Sequence, residues 1–107
     1  MRKFYILAGA FLAMTASTVA FADTVEITQK DQTFSQPTVT IKAGDTIHYT
    51  NQDTVTHNIK ILTADGDTDD KGLQKPGEVI TEVFAKPGEY KVRCAIHPKM
   101  KMTVTVQ

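Results

Sequence analysis

Near its C-terminal end the chain reads Cys94-Ala95-Ile96-His97-Pro98-Lys99-Met100, and a further histidine, His57, stands 37 residues before Cys94. A thiolate, two imidazoles and a thioether are the donors of a trigonal His₂Cys copper site with a weak axial Met, an arrangement that serves electron transfer. Cys94 is the one cysteine of the chain. No intramolecular disulfide can form, so the thiol is free for a metal. Taken singly, a buried cysteine is usually a small hydrophobe, His97 is a loop residue and His57 the start of a strand. Their joint spacing makes the metal reading the stronger one. Four protein donors leave no coordination position open for substrate, whereas catalytic metal sites keep one. The set therefore predicts a carrier rather than an enzyme.

His57 can meet Cys94 only if the elements bearing them end at a common place. Apolar residues alternate with polar ones at Val25 and Ile27, Val39 and Ile41, Ile47 and Tyr49, and Ile59 and Ile61. Val79 to Phe84, Tyr90 and Val92, and Val104 and Val106 continue the pattern, with no helical period between them. Seven such runs predict an all-β sandwich. Ala43-Gly44-Asp45 and Lys86-Pro87-Gly88-Glu89 read as hairpin-type connections, since Gly accepts positive φ and Pro presets a turn corner.

If the run 38–42 descends and 46–50 returns, the loop from Asn51 to Thr56 lies at the upper end and delivers His57 there. The run 89–94 climbs to that same end, so Cys94 and His57 are predicted to meet. The connection from Leu62 to Gly77 must then travel the height of the sandwich and bring Leu73, Pro76 and Gly77 towards the site. Phe34 to Pro37 belongs to that end as well.

Met1-Arg2-Lys3, the apolar stretch Phe4 to Ala13, and Ala20-Phe21-Ala22 before Asp23 have the form of a cleaved secretory signal. A membrane-spanning helix needs about 20 apolar residues, and Thr15, Ser17 and Thr18 dilute this stretch. Residues 1–22 are accordingly expected to be a signal peptide and 23–107 a single domain, exported to the periplasm without a membrane anchor. Removing Arg2 and Lys3 from the 12 basic residues leaves 10 against 12 acidic ones, a mature charge of −2. That balance argues against nucleic acid as a partner.

The stretches Phe34-Ser35-Gln36-Pro37 through Lys42-Ala43-Gly44-Asp45-Thr46, Asn51-Gln52-Asp53 with His57-Asn58, Lys86-Pro87-Gly88-Glu89-Tyr90, and Cys94 to Met100 span the mature chain. On these residues the chain resembles the small blue copper proteins of the cupredoxin class, closest to the plastocyanin and amicyanin group. The resemblance implies a Greek-key β-sandwich of about seven to eight strands. It implies one copper ion held by His57, Cys94, His97 and Met100, cycling between Cu(I) and Cu(II) as the protein passes single electrons between redox partners. Asn58 is expected to hydrogen-bond between the ligand loops. The edge of His97 would be the electron port, framed by an apolar patch of Ala95, Ile96, Pro98 and Pro37, with Leu73 and Pro76 on its rim. Redox proteins would dock there on a monomer, a c-type cytochrome or an amine dehydrogenase among them.

The family uses a long or a short loop before its Met, so Met102 competes with Met100. Met100 keeps three residues between itself and Val104-Thr105-Val106, as both loop classes do, and is favoured. His48, between Ile47 and Tyr49, is expected on the solvent face of its strand. Asp65 to Asp70 invites a calcium reading, but Asp70 stands where an EF-hand loop needs Gly and Pro76 where it needs Glu. A solvated acidic turn is the better expectation. The rival function is a periplasmic copper carrier that binds and delivers the metal.

Overall fold

The computed structural model describes residues 22–107; the expected signal peptide lies outside them except for Ala22. The strands are β1 (Thr24–Lys30), β2 (Thr33–Phe34), β3 (Thr38–Ile41), β4 (Thr46–Asn51), β5 (His57–Leu62), β6 (Thr68–Gln74), β7 (Val79–Val83), β8 (Gly88–Cys94) and β9 (His97–Val106). They form a four-stranded sheet in the order β2-β1-β4-β7 and a five-stranded sheet in the order β3-β9-β8-β5-β6. Among the described residues no helix is long and apolar enough to cross a membrane.

Alternation decides what lies between the sheets. In β4, Ile47, Tyr49 and Asn51 are buried while Thr46, His48 and Thr50 face outward. Ile27 adds to that side, and Ile59, Ile61, Val92 and Val104 face it from the other sheet. Each such aliphatic side chain contributes about 1.5–3 kcal/mol when withdrawn from water. Edge-to-face pairs, Phe34 with Tyr49 at 6.3 Å and Phe84 with Tyr90 at 5.1 Å, fill the wider spaces. His48 sits on the outer face, 2.9 Å from Glu26.

Three expectations need correction. The turns at Ala43-Gly44-Asp45 and Lys86 to Glu89 reverse the chain but close no hairpin. β3 pairs with β9 and β4 with β1 and β7, so the first turn passes between sheets, as does the second between β7 and β8. Alternation specifies a buried face but not a neighbour. A reversal can span the roughly 10 Å between packed sheets as well as the roughly 4.8 Å between paired strands.

The connection from Leu62 to Gly77 is not loop throughout. Its second half is β6, antiparallel to β5 at the edge of the sheet, so Asp69 and Asp70 belong to a strand and only the turn before it is acidic coil. Charged residues blunt such an edge and also erase the apolar alternation that would announce it. The two-residue β2 is likewise absent from the expected runs, and among the described residues the strands number nine where about seven to eight are expected. It closes a hairpin on β1 around Asp31 and Gln32, whose φ values of 53° and 54° are those of a type I′ turn.

At the end remote from His57, the Asp45 carboxylate accepts hydrogen bonds from the backbone N–H of Lys42 and of Asp23, both at 2.9 Å. These bonds hold its carboxyl below its usual value of 3.8. A lowered folded value means the carboxylate stabilises the fold above pH 3.8, and that contribution disappears as pH falls through the folded value. Asp45→Asn should therefore lower stability at neutral pH and flatten its fall in acid, as measured by urea unfolding from pH 7 to 2. An unchanged slope would show that the turn is held otherwise.

Gly88 begins β8 at φ +146°, and a Cβ there would stand 2.5 Å from the Cβ of Ala64. Gly88→Ala should cost about 2–4 kcal/mol, combining backbone strain with overpacking. A melting temperature within about 2 °C of the parent would contradict it.

Candidate metal centre

β5 starts where β8 ends. His57 pairs with Gln74 and Asn58 with Leu73 at the top of β5, while Cys94 closes β8 opposite His97. The strand directions read from the sequence thus bring His57 and Cys94 to one end, with Leu73 of β6 alongside. Nδ1 of His57 lies 3.1 Å from Nδ1 of His97, and Sγ of Cys94 lies 3.8 Å and 3.6 Å from them respectively. His57 and Cys94 are buried, and His97 is half-buried.

These spacings suit donors that share one ion. First-row metals such as zinc bind nitrogen at about 2.0–2.1 Å and thiolate at about 2.3 Å, so two donors of one ion stand 3–4 Å apart. Soft sulfur with imidazole nitrogen selects copper over the hard cations.

β9 presents two buried methionines to the interior, Met100 and Met102. Met102 is paired with Val92 and belongs to the core. The ladder register jumps from Arg93–Lys101 to Cys94–His97, so 98–100 are left without partners on β8. Met100 sits in that bulge and is buried.

Asn58 ties the two ligand-bearing segments as expected. Its side-chain oxygen accepts from the backbone N–H of Ala95 at 3.0 Å, and its own N–H donates to Sγ of Cys94 at 3.3 Å. The amide end of its side chain donates to Asp70 and to the carbonyl of Gly72. Asp70, placed by sequence in a solvated turn, therefore supports the site from β6. Gly72 N–H and Asn58 hold its carboxyl below the usual range.

Asp53 had no assigned role in the sequence reading. Its carboxylate lies 2.5 Å from Nε2 of His57. The other contacts to this carboxylate come from the backbone N–H groups of Asp31 and Gln32 in the β1–β2 turn. Burial opposes ionisation, but His57 and these donors outweigh it and keep Asp53 below the ordinary carboxylate range. When Nε2–H of His57 donates to Asp53, Nδ1 is left with its lone pair directed at Cys94 and His97. Such a carboxylate–histidine pair fixes the tautomer and raises the basicity of a metal-binding imidazole. The available signal was the Asp53–His57 spacing, but only the folded loop shows that the carboxylate turns back onto the ring.

Ile96 (50% exposed) and Leu73 (70%) leave apolar surface at this end, and the sequence reading did not include Val55 (41%). Ala95, Pro98, Pro37 and Pro76 are exposed as well. Pro37 lies lower than the rest, its carbonyl bonded to Thr103 N–H in the middle of β9.

A sequence model of the cupredoxin-like domain matches residues 3–106. Methylamine utilization protein MauL of Methylorubrum extorquens strain AM1 is 30% identical over 97 residues, covering 91% of this chain and 85% of that protein. Amicyanin-alpha of the same organism is 31% identical over 97 residues, covering 89% and 82%. The crystal structure of amicyanin from Paracoccus versutus superposes with a TM-score of 0.72 at 26% identity, covering 86% of this chain and 87% of that one. With the family match running nearly end to end and a donor set suited to copper at one end of its sandwich, the chain belongs to the cupredoxin-like family.

Proposed function

We propose that the protein is a periplasmic, monomeric electron carrier in which His57, Cys94, His97 and Met100 hold one copper ion, and that it exchanges single electrons with redox proteins at the His97 end. The observation that carries this reading is the convergence of two Nδ1 atoms and Sγ at 3.1–3.8 Å. Copper supplies the reversible one-electron couple.

The chain's own residues supply rigidity. Asp53 fixes the ring of His57, and Asn58 ties the start of β5 to Cys94 and Ala95. Thiolate and thioether suit Cu(I) and imidazole suits Cu(II), so a frame that holds all four still serves both states. Apolar Ile96 and Leu73 beside half-buried His97 form a surface that a partner can dehydrate on docking.

Similarity to amicyanin supports a carrier rather than an enzyme. Similarity to MauL, a methylamine utilization protein, supports an amine dehydrogenase or a c-type cytochrome as the class of partner. Cleavage before Asp23 completes the reading, and N-terminal sequencing of the exported protein should begin at Asp23.

Repeated electrochemical cycling in the presence of a Cu(I) chelator separates a carrier of electrons from a carrier of copper. Electron carriage predicts full recovery of one electron per protein over many cycles with the copper retained. Loss of copper to the chelator on the first reduction would favour delivery of the metal.

A further inference from the structure

Lys60 on β5, Arg93 on β8 and Lys101 on β9 are directly opposite one another across three neighbouring strands, Lys60 against Arg93 and Arg93 against Lys101. They share the outer face of the five-stranded sheet, with Lys91 two residues from Arg93 on the same face. Like charges placed directly opposite in a sheet are destabilising, so the row is not there for the fold.

Two carboxylates accompany it. Asp70 lies opposite Lys60, and Glu89 holds Lys91 at 2.9 Å. Among the described residues, Arg93 and Lys101 form no ion pair. This cationic face stands on a domain whose mature charge is −2, so charge is segregated on the surface.

The row adjoins the site. Arg93 is bonded through the backbone to Cys94, and it borders two surface clefts. One is shared with Pro37, Lys101 and Met102, the other with Lys60, Cys94 and Pro98. Cationic groups around small apolar surfaces, one residue from the thiolate, suit a partner that must be both oriented and brought near a redox centre.

We propose that this face, centred on Arg93, docks a carboxylate-rich surface of a redox protein, with Cys94 as the near point of the site. The proposal rests on the electron-carrier reading and adds the charge of the partner and a second approach besides His97.

Paired probes of opposite charge test it. Reduced, copper-loaded protein gives one electron to hexacyanoferrate(III), yielding hexacyanoferrate(II), or to the cation tris(phenanthroline)cobalt(III), yielding its cobalt(II) form. At about 10 mM ionic strength, where the screening length is about 30 Å, the Arg93→Gln/Lys101→Gln variant should react about five- to tenfold more slowly with the anion. It should react no more slowly with the cation. A change in driving force would move both rates together, so opposite responses isolate docking charge. Amide shifts on adding poly-L-glutamate to the reduced protein should centre on 60, 91–95 and 99–103.

Anion rates within twofold of the parent, parallel changes with both probes, or amide shifts centred elsewhere would overturn the proposal. If the copper-loaded protein shows no reversible couple, the carrier reading falls, and the amide shifts alone decide whether this face binds carboxylates.

Discussion

Cys94→Ser is expected to abolish the intense visible absorption of the copper-loaded protein and its reversible one-electron couple while leaving the metal-free fold almost unchanged. The thiolate is the soft donor that gives copper its charge-transfer absorption and suits Cu(I), and a neutral hydroxyl supplies neither property. Serine is close in size and can still accept the Asn58 N–H that reaches Sγ at 3.3 Å. The cost to metal-free stability should therefore stay within about 1 kcal/mol. Comparing absorption and urea midpoints of the two proteins checks both halves. A variant that kept the band would remove Cys94 from the metal site, and one that unfolded would make the residue a packing element first.

Asp53→Asn is expected to weaken copper binding by about 10- to 100-fold, the usual consequence of losing the partner of a metal-binding histidine. The substitution keeps size but removes the negative charge 2.5 Å from Nε2 of His57. His57 becomes a poorer donor and Cu(II) is less favoured, so the midpoint potential should rise. Competition with a calibrated chelator and a potentiometric titration read the two effects separately. If Asp53 served only to close the β1–β2 turn through Asp31 and Gln32, stability would fall while affinity and potential stayed put. That outcome would remove it from the metal centre's support.

What could be read from the sequence was set by physics that is local or directional. Alternation marked the buried faces of β4 and β8, and turn residues fixed where the chain reverses, so strand direction alone carried His57 to the end where Cys94 stands. The spacing after His97 favours Met100 over Met102 because the last strand keeps its own alternation. Pairing was not legible. Nothing in Ala43-Gly44-Asp45 states that β3 lies beside β9 rather than β4. An edge strand as polar as Thr68–Gln74 lacks the pattern by which strands are recognised.

The side chains that hydrogen-bond the ligand residues were legible only where family resemblance pointed to them, as for Asn58. Asp53 acts through a loop that folds back onto a turn formed 21 and 22 residues earlier in the chain. The Lys60, Arg93 and Lys101 row exists only once three strands are placed in register. Contacts between distant segments of chain leave no periodic trace, and such contacts make up much of this site.

Adding one equivalent of Cu(II) to the metal-free protein and recording its visible spectrum before and after a mild reductant tests the central claim most directly. A copper–thiolate site predicts an intense band that appears at one copper per chain, bleaches on reduction and returns on reoxidation. Copper that binds without colour, or colour that does not return, would contradict a preorganised His57–Cys94–His97 centre.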